Sequence, residues 1–275
     1  MSEPQEIVIT PPPRFPELRS GEVWAHRELI YFLVWRDLKV RYKQTVLGIA
    51  WGVLQPLVTV IIFTVIFGRL AGLPSEGVPY PVFALAALLP WQLFAAAVTG
   101  SSNSLVGSAS LITKVYFPRL LIPAAAVVST LADFVVSCLL LAALMVWYRI
   151  APGTGVLLLP LFILQALVLA LGIGLWASAL NVQYRDVQYV LPFFLQVLLL
   201  VSPIAYSASL VPEGPWRALY ALNPLVGVIQ GFRWALTGAA APGASAWLSG
   251  LVTLALLVGG LFFFKRMEDR FADVV

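Results

Sequence analysis

Few residues in this chain could carry out chemistry, and their types and spacing rule out most of the familiar reactions. The single histidine, His26, lies outside the long apolar segments, so no Ser–His pair can be assembled within them to activate a hydroxyl. The single cysteine, Cys138, sits in an apolar run and reads as a small packed hydrophobe that says nothing of redox compartment. No Cys/His cluster is spaced for a metal. None of the lysines follows a glycine in a G-x-x-x-x-G-K-[ST] frame, so the chain has no phosphate-cradling loop of that kind. Asp133 is the one acid within the apolar runs. It reads either as a carboxyl that is neutral or hydrogen-bonded to a neighbouring helix, or as a group that handles a proton or substrate. Ion-coupled carriers usually place several ionisable groups at mid-membrane, and a lone acid is thin support for one. The chain is therefore expected not to be an enzyme by itself and to hold no cofactor or metal. Any energy for transport must come from an ion gradient or from a partner.

The elements that would hold these residues are apolar blocks. The chain is 60% hydrophobic and 11% charged, against about a quarter charged for a soluble domain. Its apolar residues lie in long uncharged blocks between short charged loops, the pattern of an all-α integral membrane protein. The stretch R-D-L-K-V-R-Y-K-Q-T-V-L-G-I-A-W-G-V-L-Q-P-L at 36–57 organises the rest. Its first half is dense in cations, and from residue 44 to 68 there is no charge at all. A basic cluster before a first apolar span keeps its own side in the cytoplasm.

Four segments follow from this. Residues 1–21, polar and rich in proline, read as a disordered cytoplasmic tail. Residues 22–44 read as a helix on the membrane surface, with Tyr31, Trp35, Leu38 and Tyr42 on one side and Arg36, Lys39 and Lys43 on another. Residues 45–267 hold six spans, roughly 46–68, 80–102, 120–148, 155–181, 187–207 and 246–264, the third containing Asp133. Residues 268–275 form a cytoplasmic tail. The apolar stretch from Trp216 to Trp234 is interrupted by Pro224 and Arg233 and is too short for two more crossings. It reads as a re-entrant pair of half-helices between spans five and six, with Arg217 and Arg233 facing outside.

Six spans place both termini on one side. Thirteen of the cations then fall inside and four (Arg69, Arg149, Arg217 and Arg233) outside, as the positive-inside rule requires. The net charge of +4 is thus topological and points to no nucleic acid.

Two inner loops stand out. The segment L-I-T-K-V-Y-F-P-R at 111–119 is a short apolar-basic turn. Its exposed Val115, Tyr116 and Phe117 would need a cover, either a partner protein or the N-terminal helix. The loop N-V-Q-Y-R-D at 181–186 presents Arg185 and Asp186 as a compact ionic pair.

At this point the sequence resembles the membrane-spanning subunit of type-2 ABC exporters, in the polysaccharide branch that includes O-antigen, capsule and teichoic acid permeases. The matching pieces are R-D-L-K-V-R-Y-K-Q-T-V-L-G-I-A-W-G-V-L-Q-P at 36–56, K-V-Y-F-P-R at 114–119, N-V-Q-Y-R-D-V at 181–187, S-P-I at 202–204 and N-P at 223–224. Each alone is weak; together, in the family's order, they are specific. The resemblance implies a homodimer bound to two copies of a separate ATPase, which holds ATP and Mg, in the inner (plasma) membrane. It implies coupling to that ATPase through Lys114, Tyr116, Phe117, Pro118, Arg119, Arg185 and Asp186, and a gate of re-entrant helices around Asn223, Pro224 and Arg233. The implied substrate is a lipid-linked polysaccharide. A sugar polymer has apolar C–H faces and polar edges, so its path needs aromatic rings with neutral hydroxyls and amides. Trp51, Gln55, Thr59 and Phe63, four residues apart, form one stripe of this kind on the first span. Trp91, Gln92, Phe94 and Thr99 supply the same mix on the second. Two other readings stay open: a drug or lipid exporter of the same superfamily, and an ion-coupled secondary transporter.

Overall fold

A computed structural model of the chain describes residues 26–43, 50–115, 117–268 and 271. The expected N-terminal tail, the start of the surface helix, the link at 44–49 and Tyr116 lie outside the described residues. Among those described, every regular element is helical. In order they are α1 (Arg27–Lys43), α2 (Ala50–Phe63) running into a π-helical turn (Thr64–Leu70), α3 (Tyr80–Gly107), α4 (Ala109–Lys114), α5 (Leu121–Ser129), α6 (Leu131–Trp147), α7 (Leu159–Gln183), α8 (Val187–Val201), α9 (Pro215–Ala221), α10 (Pro224–Thr237) and α11 (Gly243–Glu268).

Among the described residues, five stretches are long and apolar enough to cross a membrane: Ala50–Leu70, Tyr80–Gly107, Leu121–Trp147, Thr154–Gln183 and Gly243–Glu268. They coincide with the first, second, third, fourth and last of the expected spans. The expected fifth is shorter. α8 has 15 residues, about 22 Å at 1.5 Å per residue, against a hydrocarbon core of about 30 Å. The chain stops it: Ser202 precedes Pro203, and a residue before proline is pushed out of the helical region. Ser202 is extended, at φ −88° and ψ 152°.

α3 is the centre of the bundle. From Val82 to Leu89 no residue is more than 2% exposed, and a helix apolar on every side belongs inside a bundle. Around it stand α2, α5, α6, α7 and α10, while α11 packs against α7 and α10. Close approach of α7 and α11 depends on glycine. A Cβ on Gly172 would stand 2.8 Å from the backbone nitrogen of Leu257, an atom that cannot step aside. Small residues at such crossings let backbones approach where no hydrophobic drive separates helix from lipid.

A second apolar cluster forms at one end of the bundle. Leu33 of α1, Leu105 at the end of α3, Leu121 and Ile122 of α5, Ala179 of α7 and Phe264 of α11 all meet there. Two residues from the expected loop and tail join it. Phe117, a coupling residue by the resemblance, is buried in this cluster with Leu33, so of the two covers expected for it the N-terminal helix is the one present. A bulky ring beside an apolar helix face is covered within the chain whenever such a face is near. Phe271, in the segment read as a cytoplasmic tail, is buried against Phe264 with ring centroids 5.2 Å apart. The inward side of α1 is Leu33 with Leu29, Ile30 and Val34, so Tyr31, Phe32 and Trp35 remain exposed.

Gly172→Val should separate α7 from α11 and lower stability by about 2 kcal/mol or more, as overpacking does. Gly250→Ala, with open space around it, should change stability by no more than about 0.5 kcal/mol. Thermal melting of the purified chain reads the difference, and equal midpoints would remove the glycine contact from the packing account.

Candidate functional site

A cavity of about 1020 Å³ opens between α2, α3 and α6. The four stripe residues Trp51, Gln55, Thr59 and Phe63 all line it, as their four-residue spacing demands. Facing them from α3 are Trp91, Gln92 and Thr99. The hydroxyls of Thr59 and Thr99 each donate to the carbonyl one turn back, Gln55 and Ala95, at 2.8 Å. Their protons are thus satisfied locally, and each oxygen remains an acceptor on the wall. The wall is mainly apolar and aromatic with a few neutral polar groups, the composition of a site that holds a ligand through faces and edges together.

Phe94, the eighth residue expected on this path, is elsewhere. It follows Gln92 by two positions, about 200° around an α-helix, and so points away from the cavity. It is fully buried and borders a smaller apolar hollow of about 340 Å³ with Leu169, Ile173 and Leu198. Its nearest ring on the cavity side is Trp91, with centroids 5.8 Å apart.

Among the described residues lining the cavity, the charged ones are Arg41 and Asp133, at one end where α1 meets α6. Asp133 accepts hydrogen bonds from the Arg41 guanidinium and the Tyr42 hydroxyl. Asp133 is 37% exposed and Arg41 39%, so the pair borders the cavity and is not sealed in. Burial and the bond to Asp133 push the Tyr42 phenol up to about 12, so it stays a donor. Of the two sequence readings of Asp133, hydrogen bonding to a neighbouring helix matches this geometry. Arg41 and Tyr42 were missed as wall residues. Their signal was the cluster at 36–43, read for topology alone.

At the other end of the bundle, the expected gate residues form a polar knot. Asn223 caps α10: its Oδ1 accepts from Leu225 N at 3.1 Å, with Pro224 at the first helical position. Its Nδ2 donates to the Ser202 hydroxyl at 3.1 Å. Arg233, expected to face outside, is 2% exposed. Its guanidinium lies 3.5 Å from the centroid of the Phe83 ring. It donates to the carbonyls of Ile204 at 2.8 Å and Tyr206 at 3.3 Å, with Phe83 O at 3.4 Å. The reason is the break after α8. Irregular backbone leaves carbonyls without helical partners, and buried carbonyls need donors. One arginine supplies several.

The expected coupling residues divide. Lys114 is exposed, Phe117 is buried, Pro118 and Arg119 are half-buried, and Tyr116 lies outside the described residues. Arg119 is turned inward, donating to the backbone carbonyl of Glu268. Arg185 and Asp186 are both exposed, but they do not form the expected ion pair with each other. The buried member of that motif is Asn181, whose Nδ2 donates to Ser102 O at 3.0 Å and Asn103 Oδ1 at 3.1 Å. It ties the end of α7 to that of α3.

The family model for ABC-2 type transporters matches residues 28–237. The chain belongs to this family. Among its relatives, the O-antigen export system permease protein RfbA of Myxococcus xanthus is 30% identical over 260 residues, covering 92% of this chain and 98% of that protein. An RfbA of Klebsiella pneumoniae is 28% identical over 250 residues, 90% and 95% of the two chains. The polysialic acid transport protein KpsM of Escherichia coli is 29% identical over 238 residues, 85% and 91%. An ABC-2 type transporter chain with five such helices is a multi-pass membrane protein, and its cavity lies among those helices.

In a Cys138→Ser background, cysteine at Thr59 should react with a small polar thiol reagent, and cysteine at Phe94 should react at least about tenfold more slowly because local opening must precede it. Equal rates would mean that Phe94 is as open to the cavity as Thr59.

Proposed function

We propose that this chain is the transmembrane subunit of an ATP-driven exporter that carries a lipid-linked polysaccharide outward across the inner membrane. The observation that carries this reading is the cavity wall. Two rows of rings, amides and hydroxyls face each other, and charge is confined to one end. A polymer sliding past such a wall can stack its C–H faces on Trp51 and Trp91 and exchange hydrogen bonds with Gln55, Gln92 and the threonines, with no charge midway to hold it. The membership of the chain in the ABC-2 family and the names of its relatives favour the same class of cargo. The ion-coupled alternative rested on Asp133, and that carboxylate is already engaged by Arg41 and Tyr42.

The finer architecture is part of the proposal. α1 lies along the inner membrane surface, with exposed Tyr31, Phe32 and Trp35 at headgroup level beside its cations. α8, with the irregular stretch after it, makes a sixth crossing, so both termini are cytoplasmic. α9 and α10 re-enter from the outer side as a gate around Asn223, Pro224 and Arg233. Two copies form the path, since α2 contributes a wall yet is itself little covered by its own chain. Each copy engages a separate ATPase through exposed Lys114, Val115, Arg185 and Asp186; the ATPase supplies the nucleotide and Mg, and this chain performs no catalysis.

In vesicles holding the chain and its partner ATPase, polymer should accumulate across the membrane only with ATP. Trp51→Ala should lower export of long chains several-fold at unchanged protein level, while Trp147→Ala, at an exposed position, should not. Proportional losses in both variants would take Trp51 off the path. Cysteine at Arg217 without Cys138 should label from outside with an impermeant reagent; labelling only from the cytoplasm would overturn the re-entrant arrangement.

A further inference from the structure

The end of the bundle that holds α1 is joined to the cavity wall by a chain of polar contacts. α1 is packed into the apolar cluster with Phe117, Leu121 and Phe264, and Arg36 reaches the Ser108 hydroxyl at 3.4 Å. Together with Arg119 bound to Glu268, these contacts make α1, the 114–119 loop and the end of α11 one packed block. α6 stands apart from it. Between α5 and α6 the regular helix is interrupted at Thr130, whose N–H bonds the carbonyl of Val127 at 3.3 Å, three residues back. The hydroxyls of Ser129 and Thr130 also bond back to Ala126 O and Val127 O, at 2.8 and 2.7 Å. Such back-bonding weakens the helical ladder and favours bending. Just beyond this point, Asp133 takes hydrogen bonds from Arg41 and Tyr42 in the last turn of α1. One turn further along α6, the Ser137 hydroxyl lies 3.1 Å from Gly52 O of α2, beside Trp51.

We propose that Asp133 is a positioning residue that ties α1 to the moving wall of the cavity, so that displacement of the α1 block is passed through α6 to α2 and sets the width between the Trp51 and Trp91 rows. This rests on the reading that a partner drives the chain from the side where α1 lies. The carboxylate suits the role. Two donors on successive residues of one helix fix its position, and a charged acceptor makes each bond stronger than a neutral one would be. Without the bonds to Asp133, the interrupted helix at Thr130 is a weak lever. With them, α6 cannot swing relative to α1 without parting an ion pair.

The test measures the tie and its consequence separately. In a Cys138→Ser background, spin labels at exposed Phe32 of α1 and exposed Leu139 of α6 should give one narrow distance distribution in the chain alone in nanodiscs. Asp133→Asn and Arg41→Gln should each broaden it; Tyr42→Phe, which keeps the ion pair, should broaden it less. The double exchange Arg41→Asp with Asp133→Arg should narrow it again. In vesicles with the ATPase, each single variant should cut polymer exported per ATP hydrolysed by about fivefold or more, the lower range of site-to-site coupling, at normal protein level. The double exchange should restore most of this ratio.

Unchanged distributions in the single variants would overturn the tie. Broadened distributions with an unchanged export-to-ATP ratio, or a double exchange that restores the distance but not the ratio, would overturn the coupling role. Failure of the wild-type complex to export any polysaccharide would sink the export reading, while the distance measurements would still decide whether Asp133 holds α6 to α1.

Discussion

Backbone polar groups buried in apolar surroundings must find partners within the chain, and this constraint shapes the molecule more than any other. It explains why regular structure is helical, and it explains the two places where helix fails. Where Pro203 ends α8, the freed carbonyls of Ile204 and Tyr206 are taken up by Arg233, a cation the chain keeps inside at the price of desolvating it. Where α10 begins, Asn223 caps the helix and Pro224 removes a donor that would have been orphaned. The polar knot at one end of the bundle is thus the structural cost of an interrupted helix. The short pair α9 and α10 is held by it.

A second theme is division of labour between the two ends. At the end carrying Asn223 and Arg233, polar contacts stabilise irregular backbone. At the end carrying α1, apolar packing of Leu33, Phe117 and Phe264 builds a solid block, and polar contacts from Arg41, Tyr42 and Asn181 reach out of it to α6 and α3. Between the two ends, the cavity wall is almost free of charge.

Much of this was legible in the residues, for identifiable reasons. Apolar blocks of membrane-crossing length are the strongest signal a chain can carry, and five of the six expected spans match helices of that length. The four-residue spacing of Trp51, Gln55, Thr59 and Phe63 places them on one side of any helix, so their convergence on a cavity followed directly. What could not be read was which side of a helix faces which neighbour. Phe94 and Gln92 differ by two positions and by nearly half a turn, yet sequence offered no reference direction for α3. Arg233 read as an outer-surface cation because burial of an arginine requires partners from elsewhere in the chain, and backbone carbonyls have no sequence signature. Phe117 read as needing a cover, but the choice between a partner and α1 was open because the apolar face of α1 lies far away in the chain. Conversely, Asp133 was noticed because an acid in an apolar run is rare, but its partners Arg41 and Tyr42 were hidden among cations that mark topology.

The two walls of the cavity differ greatly in how firmly they are held. In α3 78% of an apolar window is covered, whereas in the Ala50–Leu70 stretch, which bears the Trp51 stripe, only 11% is. One wall is therefore a fixed template and the other a compliant one. A passage built this way sets its gauge by the rigid side and adapts to bulk with the soft side. Substitutions on α3 disturb the fold of the chain as well as the passage, whereas α2 contributes little to the packing of its own chain. Related chains can diverge in what they admit by altering one lightly anchored helix while the core around α3 stays the same.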